Sequence, residues 1–406
     1  MHEVGAAQQV VVDGVSPGEV VRAPLGPQLL GRILAEAVVA PRDLPAFDKS
    51  LRDGYAVRSQ DCGCGGVVLR VVGEVAAGAA PGARVGAGEC QRIYTGAPLP
   101  EGADAVIMQE EMEVIGADQV RWRGGGAVQP GQWVYPRGQE MRAGETVVPA
   151  GSRLSAATLG VLASLGQATL AVLAAPRVGI VSTGNELLEL SQPWRAGKIY
   201  NSNGPMLAAL LTRLPLAATD YGILPDEEAA LRTGLERMLQ ECDVLIIAGG
   251  MSVGTYDLVP KVLRSLGLVE QVRQVRMKPG KPFLFGRCGA RVVFGLPGNP
   301  VSAFVCYHLF VEPALRRMLG YAPTACVPPL RSGRLPEALV AHHDRPTYHP
   351  AVWSWPGSEA VVRPLPWSGA PDLRALLQAN ALLVLPAGEV RYAPGETVSW
   401  IPLEEP

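Results

Sequence analysis

Histidine is scarce in this chain. The five residues His2, His308, His342, His343 and His349 show no metal-ligating spacing and no companion Ser/Asp set, so imidazole catalysis and a histidine-based metal site are not expected. Charge is also sparse, at 18% of residues. Thirty-six basic against 38 acidic side chains leave a net charge of -2 without a Lys/Arg cluster, which argues against a nucleic-acid or anionic-membrane partner. The seven cysteines are odd in number, and only Cys62 and Cys64 lie close together with no histidine beside them. They are read as free thiols in a reducing compartment. Neither G-x-G-x-x-G nor G-x-x-x-x-G-K-[ST] follows a strand, which disfavours a nicotinamide Rossmann enzyme and a P-loop ATPase. No basic stretch precedes an apolar core at the N-terminus, so no signal peptide is expected. The one long uncharged stretch, 154–175, is interrupted by Gly160, Gly166 and Gln167. It reads as a helix after Ser155 and a strand over 168–173, not as a membrane span.

Apolar residues are plentiful, at 48% of 406, enough for several packed cores and for two to four domains of roughly 100–200 residues each. The chain opens with a short apolar stretch at 10–12. A helix is expected over 27–37, where Leu29, Leu30, Ile33 and Leu34 share a face. Glycine-punctuated β-like runs fill 67–137, and helical spacing returns at 155–165, so a β-rich piece is inserted within a framing segment whose two helical parts pack together. From Pro176 the pattern alternates: strands at 177–181, 218–222, 243–247 and 291–295, and helices at 203–213, 226–239, 258–266 and 301–319. That is an α/β doubly wound domain. Beyond Tyr321 a Pro-rich change leads into short strands and a small β domain, with Trp353, Trp355, Trp367 and Trp400 as core candidates. The expected division is 1–50 with 138–175 as the framing segment, 51–137 as the β-rich insert, 176–325 as the α/β domain and 326–406 as the C-terminal β domain.

Three strand ends carry loops rich in Gly, Ser, Thr and Pro. The first holds Ser182, Thr183, Gly184 and Glu186; the second Gly249, Gly250, Ser252, Gly254 and Asp257; the third Pro297, Gly298, Asn299, Pro300 and Ser302. In a parallel sheet such loops line the carboxyl edge, where open α/β sheets bind ligands. Exposed main-chain N–H groups and hydroxyls suit an anion there. A further turn, Lys278-Pro279-Gly280-Lys281-Pro282, offers two ammonium groups beside prolines. Acidic side chains near phosphate commonly hold Mg²⁺. Asp226 is equally a helix N-cap, Asp257 and Glu186 can serve helix dipoles, and Asp53 in Asp-Gly is a turn former.

These residues together resemble the molybdopterin molybdenumtransferases, the family of bacterial MoeA and the C-terminal domain of gephyrin. The resemblance runs over nearly the whole length and rests on six ordered motifs: Phe47-Asp48 with 53–57, 95–104, 182–187, 249–257, 278–282 and 296–302. It implies a four-part subunit, an elongated cytoplasmic homodimer with a site shared between subunits, and the last step of molybdenum cofactor assembly. Adenylylated molybdopterin and molybdate enter; molybdenum cofactor and AMP leave, with Mg²⁺ assisting. Residue by residue, it implies Ser252 and Asp257 at the phosphoanhydride and its metal, with Asp226 as a further acid. Lys278, Lys281, Pro282, Ser302 and Arg345 would meet molybdate, Glu186 the pterin-nucleotide pocket, and Asp53 and Thr95 the cleft of the partner subunit. Other cofactor-biosynthesis or acceptor proteins are the further partners it implies.

The chain also departs from the family pattern. Trp133-Val134-Tyr135 stands where Asn-Val-Arg is usual, Gly138-Gln139-Glu140 where Gly-Glu-Asp is usual, Lys49 and Arg52 replace Asn and Met, and Ala370 stands for a serine with Ser368 nearby. Two rivals share parts of the pattern: molybdopterin adenylyltransferase, which has a similar Gly-Gly-x-Ser-x-Gly loop, and a gephyrin-like receptor scaffold.

Overall fold

A computed structural model describes residues 1–251 and 258–403. The chain folds into two compact units, one of residues 1–35, 153–155 and 169–406, the other of 36–152 and 156–168.

The larger unit is organised by a six-stranded sheet in the order Ala217–Leu224, Arg177–Thr183, Val244–Ala248, Arg291–Leu296, Leu284–Cys288, Leu268–Val272. The central strand Val244–Ala248 is buried at every position, as an apolar, β-branched run should be when both faces are covered. Alternation divides its neighbours between two cores. Val178, Ile180, Val244, Ile246, Val292 and Phe294 face one core, which also takes Leu207 and Phe310 from helical segments. Val181, Leu245, Ile247 and Val293 face the other, against Leu231, Leu235, Val259 and Val262. Helices therefore cover both faces, as a doubly wound sheet requires. The first four strands pair in parallel, whereas Leu284–Cys288 and Leu268–Val272 add to the edge in antiparallel fashion. This reversal matters for the site, because the start of Leu284–Cys288 lies beside the end of Arg291–Leu296, with Leu284 opposite Gly295.

The same unit contains a closed barrel of strands Arg331–Arg334, Val361–Pro364, Thr347–Ser354, Ala381–Leu385 and Thr397–Pro402. Trp400 is wholly buried in it and stacks on Trp353 at 4.9 Å. Trp355 is not core: it lies just past the end of its strand and is 59% exposed. Trp367 packs against the large α/β core instead.

The helix expected over 27–37 does not form. Only a 3₁₀ turn, Pro27–Leu29, is present, and Ile33 and Leu34 make bridges to Arg153 and Val172. Gly31 at φ +79° turns the chain left-handed in mid-pattern, so the apolar spacing is satisfied by extended backbone. The real N-terminal helix is Val4–Asp13, which buries Ala7, Val11 and Val12. With no helix at 27–37, the expected helix–helix packing of the framing segment is absent too. The helix Ala156–Ser164 is present and groups with the second unit. That unit is β-rich, a six-stranded sheet in the order Ala105–Met108, Gly54–Val57, Glu89–Ile93, Val68–Val75, Gln119–Trp122, Met112–Val114. Among the described residues no helix is long and apolar enough to cross a membrane.

Candidate functional site

Because the four strands from Ala217 to Leu296 run in parallel, the loops that follow them share one edge of the sheet. The antiparallel strand Leu284–Cys288 brings the 278–282 turn, which precedes it, to that same edge. Ser182, Lys281, Asn299, Gly249 and Gly250 are thus gathered on one rim. Ser252, Gly254 and Asp257 lie outside the described residues.

Glycine is required where the central strand ends. Gly249 has φ +102°, and a Cβ there would lie 2.4 Å from the Thr183 carbonyl oxygen. Gly250 has φ +65°, and its Cβ would meet Val259 Cγ2 at 2.6 Å. The Gly249 N–H donates to the Leu296 carbonyl at 3.0 Å, tying this turn to the strand end before Pro297. Gly298 and Asn299 are exposed beside it. The Gly298 carbonyl accepts a 2.8 Å bond from Asn203 Nδ2. Two polar atoms, Thr183 Oγ1 and Asn203 Oδ1, are buried without a hydrogen-bond partner among the described residues.

The Ser182 hydroxyl is turned inward. It donates to Asn201 Oδ1 at 2.9 Å, and that oxygen also accepts the Gly204 N–H at 3.1 Å. Asn201 carries no signal in the sequence, since nothing in its spacing distinguishes it from a loop asparagine. Asp226 is not the expected N-cap. The helix is Glu228–Glu241, Glu227 holds the cap position, and no side chain caps it. Asp226 instead clasps the neighbouring loop: Asp226 N–H donates to Asn185 Oδ1 at 3.1 Å, and Asn185 N–H donates to Asp226 Oδ2 at 3.4 Å. Short polar side chains readily bond nearby loop backbone, and here they do so across two strand ends. The Glu186 carboxylate folds back over Gly184, where a Cβ would sit 2.5 Å from Oε2.

Lys278 and Lys281 are both exposed, on a turn fixed from several sides. The Lys278–Pro279 bond is cis, and Gly280 at φ +111° packs so closely that a Cβ would be 2.8 Å from Cys306 Sγ. The turn is pinned to the barrel, since Lys278 N–H donates to the Pro346 carbonyl at 2.9 Å and Tyr348 N–H donates to the Lys278 carbonyl at 2.7 Å. The chain next to Arg345 is thereby held at the lysine turn; the Arg345 guanidinium itself pairs with Asp344 at 2.7 Å. Burial, then the charges of Lys278 and His342, lower the pKa of His343. The sequence offered only its position two residues before Arg345 as a clue. Ser302 is buried in the first turn of Pro300–Cys306, and the preceding Val301 N–H donates to the Ala370 carbonyl at 3.1 Å.

In the second unit, Asp53 and Thr95 come together. Thr95 N–H and Thr95 Oγ1 both donate to Asp53 Oδ1 at 2.7 Å, and these bonds hold the Asp53 carboxyl below its usual range. The departures from the family pattern also meet each other. Arg52 lies over the Trp133 ring at 4.7 Å, Lys49 over Tyr135 at 5.0 Å, and Lys49 pairs with Glu140 at 3.8 Å. Among the described residues no group of three or more His, Cys, Asp and Glu could hold a metal alone. A half-buried carboxylate such as Asp226 at this sheet edge is of the kind that suits Mg²⁺, which takes one or two carboxylates together with phosphate oxygens and water.

Similarity to known proteins runs along most of the chain. The chain matches the model of the MoeA N-terminal region (domain I and II) over residues 2–166, that of a probable molybdopterin binding domain over 179–317, and that of the MoeA C-terminal region (domain IV) over 332–403. It is 36% identical over 382 residues to a molybdopterin molybdenumtransferase from Nostoc sp., covering 91% of this chain and 85% of the relative. Two crystal structures of a molybdopterin biosynthesis MoeA protein from Pyrococcus horikoshii, each at 30% identity, superpose with TM-scores of 0.81 and 0.76 over 99% and 100% of both chains. The three models together span most of the chain, and the chain belongs to the MoeA family of molybdopterin molybdenumtransferases.

Proposed function

We propose that the chain inserts molybdenum from molybdate into adenylylated molybdopterin, releasing AMP and molybdenum cofactor, the last step of molybdenum cofactor biosynthesis. The observation that carries this reading is the gathering of the glycine turns, the clasped Asn185–Asp226 pair and the lysine turn on one rim of the sheet. Matches to the N-terminal and C-terminal family regions favour it over adenylylation of molybdopterin.

Main-chain N–H groups around Gly250, Gly254 and Gly298 bind the phosphoanhydride, with Gly249, its own N–H committed to Leu296, setting the turn and Pro297, Asn299 and Pro300 shaping the wall. Thr183 backs the Gly249–Gly250 turn from beneath, and Asn203 holds the Gly298 carbonyl. Ser182, through Asn201, positions the loop over the sheet, and Glu186 with Gly184 lines the pterin-nucleotide pocket. Molybdate is a tetrahedral dianion. The ammonium groups of Lys278 and Lys281, with Pro282, Ser302 and Arg345 around them, hold it next to the dithiolene so that the metal meets its ligands already oriented. Asp257 and Asp226 would hold Mg²⁺, which would supply charge compensation for the departing AMP. Ser252 hydrogen-bonds the same phosphates. Asp53 and Thr95 act across a cytoplasmic homodimer, so that one site draws on both subunits, and other cofactor-biosynthesis or acceptor proteins take up the product.

The test is AMP release by purified protein given adenylylated molybdopterin, Mg²⁺ and molybdate, with molybdate omitted as control. Molybdate-dependent AMP release is expected. The reading fails if AMP appears equally without molybdate, and the metal role fails if Asp257→Asn turns over like the wild type.

A further inference from the structure

Among the described residues Trp133 is the one non-glycine with a positive φ, at +55°. An L-residue crowds its Cβ against the backbone in that left-handed region, so a side chain as large as indole stays there only where its surroundings over-determine it. Such outliers gather at functional sites. The indole packs with Val134 against the core of Ala56, Val75, Ile93, Ala97 and Val106. Arg52 lies over the ring, its guanidinium carbon 4.7 Å from the centroid and within cation–π range. On the backbone, Val106 N–H donates to the Gln132 carbonyl and Leu51 N–H to the Trp133 carbonyl, both at 2.9 Å.

These contacts lead to Asp53, since Leu51 and Arg52 are the two residues before it. Ser50, one step earlier, pairs with Val134 on one side. On the other its N–H donates to the Ala97 carbonyl at 3.0 Å and its carbonyl accepts the Gly96 N–H at 2.8 Å. The stretch that carries Asp53 is therefore bracketed, by the 95–97 turn on one side and by Trp133 and Val134 on the other. Asp53 itself is exposed, and both Thr95 bonds fall on Oδ1. With one oxygen so held, how the other is presented depends on where the 50–53 stretch lies against Thr95. The bonds are 2.7 Å long, and a shift of about 0.5 Å takes them to the outer limit of a good hydrogen bond.

We propose that Trp133 and Arg52 are positioning residues that clamp the 50–53 stretch and thereby set the Asp53 carboxylate in its bonds to Thr95. The strained backbone at Trp133 carries its carbonyl to Leu51, and the guanidinium on the ring ties the residue next to Asp53 to the same indole. Plain core packing asks for the indole but for neither the left-handed backbone nor the cation. The value of a set carboxylate for turnover rests on the role proposed above for Asp53; the clamp itself does not.

The test is NMR titration of the Asp53 carboxyl in the full chain, at about 0.5 M salt so that the direct field of exposed charges is screened. Trp133→Gly accepts the left-handed backbone but removes the ring, and Trp133→Phe keeps a ring for Arg52. The Asp53 midpoint is expected to rise by about half a pH unit or more in Trp133→Gly, to rise likewise in Arg52→Gln, and to stay close to wild type in Trp133→Phe and Arg52→Lys. In Trp133→Gly, kcat for AMP release should fall about 10-fold with the apparent KM for molybdate unchanged. An Asp53 midpoint unchanged in Trp133→Gly or in Arg52→Gln overturns the proposal, and the indole then serves packing alone. A raised midpoint with wild-type AMP release upholds the clamp and instead removes Asp53 from turnover. Should Trp133→Gly fail to fold, Arg52→Gln, which leaves the indole in the core, decides by the same midpoint.

Discussion

Thr95 donates two hydrogen bonds to one oxygen of Asp53, from its backbone N–H and from its hydroxyl, each 2.7 Å long. Forty-two positions separate the two residues, and each belongs to a different sequence motif. Thr95→Val removes one of the two donors, so the Asp53 carboxyl should titrate at higher pH than in the wild type, read by NMR of that side chain. The sign follows from the depressed folded pKa: ionised Asp53 favours the fold above its unfolded pKa, and that contribution disappears as pH falls through the folded value. If Asp53 is required ionised for turnover, the acid limb of AMP release shifts upward with it.

Gly249→Ala puts a Cβ 2.4 Å from a carbonyl oxygen and asks an L-residue to hold φ +102°. Strain of that kind costs about 1–3 kcal/mol before the clash is counted. Denaturant unfolding should show a loss of at least that size, and AMP release should fall even in the folded fraction because the turn must move.

Ser182→Ala deletes one of two donors to Asn201 Oδ1, while Gly204 N–H remains. A loss of roughly 1 kcal/mol is expected from a buried hydrogen bond. If Ser182 only positions the loop, the apparent KM for the pterin nucleotide should rise while the molybdate requirement stays put.

Lys281→Ala leaves the turn intact, because its backbone carbonyl, not its side chain, accepts the Val275 N–H. The molybdate concentration for half-maximal AMP release should rise about 10-fold or more, with stability unchanged, since an exposed ammonium contributes little to folding. Unchanged molybdate dependence would remove Lys281 from the oxyanion pocket.

Asp243 makes a contrasting prediction at the opposite end of the central strand. It accepts bonds from Arg177 and Arg291, the Arg177 side-chain bond being the largest cause of a lowered pKa. Its stabilising effect is present above the unfolded aspartate range and is lost as pH falls through the lower folded value. Asp243→Asn should cost about 1 kcal/mol near neutral pH and progressively less in acid, by denaturant midpoint, and leave molybdate dependence alone.

Much of this was written in local patterns. An unbroken apolar run rich in β-branched residues such as Val244–Ala248, ended by two glycines, reads as a covered strand with a sharp turn after it, and alternation of strands and helices implies a sheet with a ligand edge. Local pattern failed where two structures satisfy the same spacing. Of the expected helix face Leu29, Ile33 and Leu34 are buried but Leu30 is exposed, because Gly31 turns the chain and leaves it extended. Trp355 differs from Trp353 only in lying one residue beyond a strand end.

The sequence by itself determined the sheet-edge loops and the residue types on them, because covalent order fixes which turn follows which strand. Only the tertiary structure decided how those turns meet. The antiparallel strand Leu284–Cys288 reverses the chain and delivers Lys281 to the rim, Asp226 gives up a helix cap for Asn185, and His308 pairs its Nδ1 with Glu312. Each depends on groups that are distant along the chain, and spacing carries no information about which of two equally satisfying partners a polar atom will find.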